Sequence, residues 1–281
     1  MCVQSIISSL GLKNIAQFPL SGGDTSQAWK IETHEGDYFL KINSLEKYPS
    51  LFESEVNSLE ALWGNSSLII PRVLKTDLIG GEQFLLLEWL ESNSEQQEWE
   101  GLGTDLANLH NKPQPCFGWK ENNYIGKLPQ INRQHDRWET FYAQCRILPL
   151  VKNLFDNGVF SASDLKNAEN LCQKLSGIFP DEPPALLHGD LWIGNIMFTP
   201  KGPACFDPAS YYGHREMDIG MSLMFGGFNT SFYNTYHEVY PLEKNWRQRI
   251  PLTQLYPLLV HAALFNGHYI QTVRNILKQC K

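Results

Sequence analysis

The sequence predicts an α+β protein with a small β-rich N-terminal part and a larger, mainly helical remainder. Three observations carry this. The first ninety or so residues hold short apolar runs broken by turn residues, with one clear helical pattern among them. From about residue 99 the apolar spacing becomes mostly helical. On either side of residue 200 the pattern reverts briefly to two short apolar strands, IMF and PACF, around the turn TPKG.

Taken in order, AWKIETH and YFLKIN are separated by EGD, a strand–turn–strand signal. Phe52, Val56, Leu59, Leu62 and Trp63 then fall on one helical face, and strand-like segments follow as far as FLLLEWLE. WEGLGTDLANLHN, RWETFYAQCRILPLVKNLF and ASDLKNAENLCQKLSGIF read as helices, and helices are expected from the second short strand to the end. The expected division is residues 1–90 and 91–281, joined across 88–95. An active site would lie in the cleft between the two.

Composition narrows the function. With 42% hydrophobic and 19% charged residues, the chain is an ordinary globular one. The formal net charge is −7 and no block of Lys or Arg appears, which argues against nucleic acid or an anionic membrane as partner. No apolar run is long enough to span a bilayer, and the first twenty residues lack the pattern of a signal peptide. The six cysteines are scattered with no CxxC pair, which favours reduced thiols in a cytoplasmic protein.

The stretch LLHGDLWIGNIMF places His, Asp and Asn inside an apolar run, as a short loop held between packed segments would. Asp190 and Asn195 stand in the order H-G-D-x-x-x-x-N, and Asp207 follows at the end of the second short strand. This spacing points to phosphoryl transfer: Asp190 as the base that orients an attacking hydroxyl, Asn195 and Asp207 as Mg²⁺ ligands against nucleotide phosphates. The bland alternative is a polar turn capped by its own Asp and Asn side chains.

SGGDTSQAW, with Gly22 and Gly23, is either a plain hairpin turn or a loop laying backbone N–H groups over phosphates. Lys41, mid-strand between Leu40 and Ile42, is either edge-exposed or paired with an anion. Glu55, on the border of the helical apolar face, is its expected partner, and the pair would aim the ammonium at the α- and β-phosphates. Glu88, where the two parts join, is grouped with these nucleotide-side residues. His188 is expected to support the loop by hydrogen bonding, Asp218 to cap a helix or brace the loop backbone, and His110 to be structural. Trp192 is either core or a flat ring beside the base that suits a sugar or an amine substituent.

These residues also carry a resemblance. HGDLWIGN, then FDPASYYGHREMDIGMSLMFGGF and LYPLLVHAALFNGHY, resemble the fructosamine kinase (ketosamine 3-kinase) family. That family belongs to the aminoglycoside-phosphotransferase and choline-kinase branch of the protein-kinase-like fold. The likeness extends through FESEVNSLEAL, ANLHNKPQPCFGW and NYIGKLPQINRQHDRWETFYAQCRILP, nearly the whole chain. It implies a two-lobe fold and ATP-dependent phosphorylation of the 3-hydroxyl of ketosamines, whose unstable 3-phosphates release the free amine. Asp190 would then be the catalytic base, Asn195 and Asp207 the Mg²⁺ ligands, and Lys41 with Glu55 the phosphate-positioning pair. Some eukaryotic members carry a cysteine after the paired glycines, linked to redox-controlled dimerisation. Here that residue is Asp24, so the switch is not expected, and a monomer is favoured.

Two other readings compete. An aminoglycoside- or choline-type kinase takes cationic acceptors and calls for an acidic or aromatic pocket, and no acidic cluster follows Trp192. A pseudokinase-like binding module predicts loss of Asp190, Asn195, Asp207 or Lys41, and all four are present.

Overall fold

The short apolar runs of the first ninety residues fold into one antiparallel sheet, seen in a computed structural model that describes residues 3–21, 25–93, 95 and 97–279. Helix α1 (Val3–Ser9) precedes β1 (Asn14–Leu20), β2 (Gln27–Thr33) and β3 (Gly36–Ser44). Helix α2 (Leu51–Asn65) follows, then β4 (Val73–Ile79) and β5 (Glu82–Glu88), and the spatial order is β1-β2-β3-β5-β4. In β5, Phe84, Leu85, Leu86 and Leu87 are all buried, because both faces of this strand are covered. Phe84 and Leu86 join Ile31, Leu40 and Ile42 under α1, while Leu85 and Leu87 join the main core with α2. The edge strand β4 is largely exposed.

Two expectations for this region need correction. The first ninety residues contain a second helix, α1, whose Val3, Ile6 and Ile7 take helical spacing and pack on the sheet. In α2, Trp63 is 66% exposed, whereas Ser54 and Ser58 are buried beside Phe52, Leu59 and Leu62. The inward face is turned by about a quarter of a rotation from the apolar stripe, at 100° per residue. Glu55 consequently lies within that face rather than on its border. The stripe misleads because this side of the helix, through Ser54, Glu55 and Ser58, lines a cavity as well as a core.

The remainder is mainly helical, as expected. It runs through α3 (Trp99–His110), a hairpin of β6 (Asn123–Ile125) and β7 (Leu128–Gln130), and α4 (Trp138–Phe141). A π-helical turn, Tyr142–Ile147, leads into α5 (Leu148–Asp156) and then α6 (Ala162–Lys174). Helix α6 starts on a capping box in which the Asp164 N–H donates to Ser161 Oγ and the Ser161 N–H to Asp164 Oδ2, an arrangement worth about 1 kcal/mol. It stops at Lys174, before the expected Phe179, and Gly177 follows with φ +83°.

The motif region supplies β8 (Ala185–Leu187), β9 (Ile196–Thr199), β10 (Gly202–Cys205) and β11 (Tyr211–Gly213), paired as β8 with β11 and β9 with β10. Strand β11 interrupts the run of helices expected there. Helices α7 (Glu216–Ser222), α8 (Thr230–Val239), α9 (Trp246–Thr253), α10 (Leu255–Phe265) and α11 (His268–Gln279) complete the chain. Among the described residues no helix is long and apolar enough to cross a membrane, and Cys116, Cys145, Cys172 and Cys205 are free thiols.

Candidate active site

The His188–Asn195 loop leaves β8 and enters β9, so packed strands fix both its ends. Asp218, buried at the start of α7, holds the loop backbone: its Oδ2 accepts from the His188 N–H at 2.8 Å and its Oδ1 from the Gly189 N–H at 3.0 Å. His110, from the end of α3, donates through Nε2 to Asp218 Oδ2 at 3.3 Å and accepts at Nδ1 from the Tyr236 hydroxyl at 2.8 Å. Gly189 is required twice over. Its φ is +83°, and a Cβ there would stand 2.1 Å from the Ala209 carbonyl oxygen.

His188 is buried, and burial lowers its pKa against the pull of the Asp218 charge, so the ring is neutral. Its Nδ1 accepts from the Asp190 N–H at 3.3 Å, and its Nε2–H donates to the Phe206 carbonyl at 3.1 Å. The structural roles expected of His188, Asp218 and His110 are what these contacts describe.

The Asp190 side chain reaches the cavity wall, and Asn195 Nδ2 donates to its Oδ2 at 3.1 Å and to its backbone carbonyl at 2.9 Å. Desolvation pushes the Asp190 carboxyl up to about 7; the Asn195 hydrogen bond opposes this, and the charges of Asp207 and Asp218 add to it. The β9–β10 hairpin then delivers Asp207, whose φ of 56° puts it in the left-handed region that Asp tolerates better than most residues.

Lys41 projects from β3 toward the same point. Its Nζ donates to Glu55 Oε1 at 2.7 Å and to Asp207 Oδ1 at 2.5 Å. Burial by itself would lower the pKa of this lysine, and the two carboxylates outweigh it and hold the ammonium charged. Of the two readings of Lys41, the paired one describes the structure.

These side chains share a cavity of about 640 Å³. Lys41, Glu55, Asp190, Trp192, Asn195 and Asp207 all line it. Gly22 and Gly23 lie outside the described residues. Their described flank, Thr25 and Ser26, lines the cavity and is tied down by Asn43, whose Nδ2 donates to the Thr25 carbonyl at 2.7 Å. Glu88 is not among the lining residues: its Oε1 accepts from the Arg72 N–H at 2.9 Å.

Sequence reasoning missed the wall facing the loop. Trp192 meets Phe225 edge-on at 5.5 Å, Phe225 lies 5.1 Å from the His261 ring, and His261 lies 4.9 Å from Tyr269. His261 donates through Nδ1 to the Pro257 carbonyl at 2.8 Å. The signal was present in MFGGF and LYPLLVHAALFNGHY, but nothing in their spacing says that two helices and a turn converge there.

A family model described as fructosamine kinase matches residues 4–281. The chain belongs to the fructosamine kinase family. A probable ketoamine kinase of Enterococcus faecium is 37% identical over 284 residues, covering 99% of each chain. The ketosamine-3-kinase of Mus musculus is 34% identical over 286 residues, covering 92% of each. Among solved structures, a "putative fructosamine-3-kinase" from Thermobifida fusca aligns with a TM-score of 0.87 at 31% identity, over 99% of this chain and 97% of that one. A thermostable mutant of aminoglycoside phosphotransferase APH(4)-Ia aligns over 98% of both chains with a TM-score of 0.64 at 15% identity, a likeness of fold alone. Membership of the fructosamine kinase family carries the reaction class with it: the protein is an ATP-dependent kinase of ketosamines, on a protein-kinase-like fold. The aminoglycoside- and choline-type reading fits less well than this one.

Proposed function

We propose that this kinase transfers the γ-phosphoryl group of ATP to the 3-hydroxyl of fructosamine, ribulosamine or erythrulosamine adducts, leading to deglycation. The observation that carries the proposal is the convergence of Asp190, Asn195, Asp207 and the Lys41–Glu55 pair with the Trp192 ring on one cavity. In this reading Asp190 orients the acceptor hydroxyl and accepts its proton, a role for which a carboxyl raised to about 7 is suited. Lys41, held by Glu55, aims its charge at the α- and β-phosphates. The Trp192 ring packs against the C–H face of the sugar.

The residues present fit Mg²⁺. Asn195 turns its Nδ2 toward Asp190, which leaves its Oδ1 for a cation, and Asp207 offers a second hard oxygen on the same wall. When bound, the ion supplies charge neutralisation along the phosphates. Gly22 and Gly23 would cover those phosphates from the nucleotide-binding lobe, residues 1–90. Residues 91–281 would form the catalytic and acceptor-binding lobe. A complex of APH(4)-Ia with AMP-PNP and hygromycin B supports a cleft shared by nucleotide and acceptor. The proposal includes a cytoplasmic monomer with no nucleic-acid or membrane partner.

An ATP-consumption assay over ribulose-, erythrulose- and fructose-lysine adducts, with the phosphate located by NMR, tests it. Turnover of at least one adduct with phosphate on O3 is expected. Phosphate on another oxygen, or no turnover of any of the three, overturns it.

A further inference from the structure

Arg146 is wholly buried, yet its hydrogen bonds go to neutral oxygens. Nη2 donates to Asn132 Oδ1 at 2.7 Å, and Nη1 donates to the carbonyls of Ile131 and Cys145. Its guanidinium faces the rings of Tyr211 at 4.0 Å, Phe141 at 4.6 Å and Tyr256 at 5.1 Å. A charge held by neutral groups is expensive to bury. The π-helical turn that carries Arg146 is itself a rare geometry, frequent at functional sites.

The hydrogen bonds lead from Arg146 to the catalytic centre. Asn132 Nδ2 donates to Asn123 Oδ1 at 2.7 Å, and Gln130 Nε2 donates to the same oxygen at 2.8 Å. Gln130 Nε2 also reaches the Ala209 carbonyl at 3.0 Å, and Asn123 Nδ2 reaches the Ser210 carbonyl at 2.9 Å. The Tyr256 hydroxyl donates to Gln130 Oε1 at 2.7 Å and fixes which way that amide points. Asn123, Gln130 and Asn132 are all buried. Ala209 and Ser210 follow Asp207 by two and three positions. The Ala209 N–H donates to the His188 carbonyl at 3.0 Å, and its carbonyl is the group that leaves Gly189 no room for a Cβ.

We propose that Gln130 and Asn123, oriented by Tyr256 and by Asn132 with Arg146, are positioning residues for phosphoryl transfer. They hold the Pro208–Ser210 backbone in register against the His188–Asp190 loop, and so set Asp207 relative to Asp190. The inference rests on the reading of Asp190 and Asp207 as the acting carboxylates. An apolar core of the same volume would stabilise the fold as well, but it would not address two particular carbonyls beside Asp207.

The test compares Gln130→Leu, Tyr256→Phe and Asp190→Asn, assayed well below each unfolding midpoint with kcat expressed per folded molecule. Gln130→Leu is expected to lower kcat about 10- to 100-fold, and Tyr256→Phe about 3- to 10-fold, because small displacements are costly in oriented transfer. The KM for ketosamine should stay within about threefold of wild type, and any larger rise in KM should fall on ATP, whose Mg²⁺ Asp207 is proposed to hold. A purely structural role would lower the midpoint and leave kcat of the folded enzyme unchanged, and that result overturns the inference. If Gln130→Leu does not fold, Tyr256→Phe, which loses only a hydroxyl, decides by the same criterion. Asp190→Asn separates the two levels. If it keeps its turnover, the reading beneath the inference fails. If it is inactive while Gln130→Leu and Tyr256→Phe keep wild-type kcat, only the positioning role fails.

Discussion

The indole ring of Trp192 lies over Gly194, so closely that a Cβ on residue 194 would stand 2.3 Å from the ring. Gly194 has no positive φ to explain it, and the space it leaves is the space the ring fills. The Trp192 side chain is half-buried and lines the cavity.

Gly194→Ala should therefore push the ring out of place without touching the nucleotide side. The expected result is a KM for ketosamine raised about tenfold, with unchanged KM for ATP. Trp192→Ala should do the same more severely, while slow ATP hydrolysis without acceptor continues. A core tryptophan would instead cost roughly 3–5 kcal/mol and reduce every activity together. Steady-state kinetics and thermal melts on the two variants distinguish these outcomes.

Asp190→Asn should lower kcat by about 10²–10⁴-fold and leave ATP binding largely intact. Its isosteric amide keeps the shape of the loop and removes the proton acceptor. A variant that retains more than about a tenth of wild-type kcat would rule out the assigned base.

Asp207→Ala should weaken Mg·ATP binding, since it removes one proposed ligand and one of the two carboxylates on Lys41 Nζ. Isothermal titration measures this directly. Unchanged affinity would mean that Asp207 does not hold the ion.

His214 gives a pH dependence of stability. It is fully buried, with Nε2 3.7 Å from Glu182 Oε2 and the rings of Phe179 and Trp138 alongside. Desolvation lowers its pKa to about 4; the Glu182 charge opposes this, and the Arg215 and Arg249 charges assist it. Between pH 4 and 6.5 the unfolded chain binds a proton that the folded chain does not, so stability rises with pH across that window. The contribution, roughly 3 kcal/mol, is complete above pH 6.5 and is lost as pH falls to 4. His214→Gln should flatten this part of the profile in denaturant unfolding measured from pH 4 to 7. An unaltered slope would assign the acid sensitivity elsewhere.

The reach of the sequence follows from what each residue reports. HGDLWIGN announces itself because polar groups in an apolar run have few structural excuses, and Lys41 because a strand interior rejects an unpaired ammonium. The rotation of α2 was not legible, since Ser54 and Ser58 count as solvent-facing until the cavity beside them is known. Phe225, His261 and Tyr269 have the same ambiguity in reverse: rings on apolar segments read as core, and only the packing of α10 and α11 places them on a cavity wall. Arg146 was hidden for a further reason, because no sequence period predicts a π-helical turn.

The β-rich part closes its own interior only on the face under α1; on the other face the apolar packing of Leu59, Leu62, Leu85 and Leu87 is continuous with that of Trp99, Leu102 and Leu106. Cut at residue 90, it would present one side of β5 and of α2 to water. The sheet and the helices are thus one cooperative unit: heat should melt them in a single calorimetric transition. Neither half is a module that could be exchanged between proteins without remaking that seam.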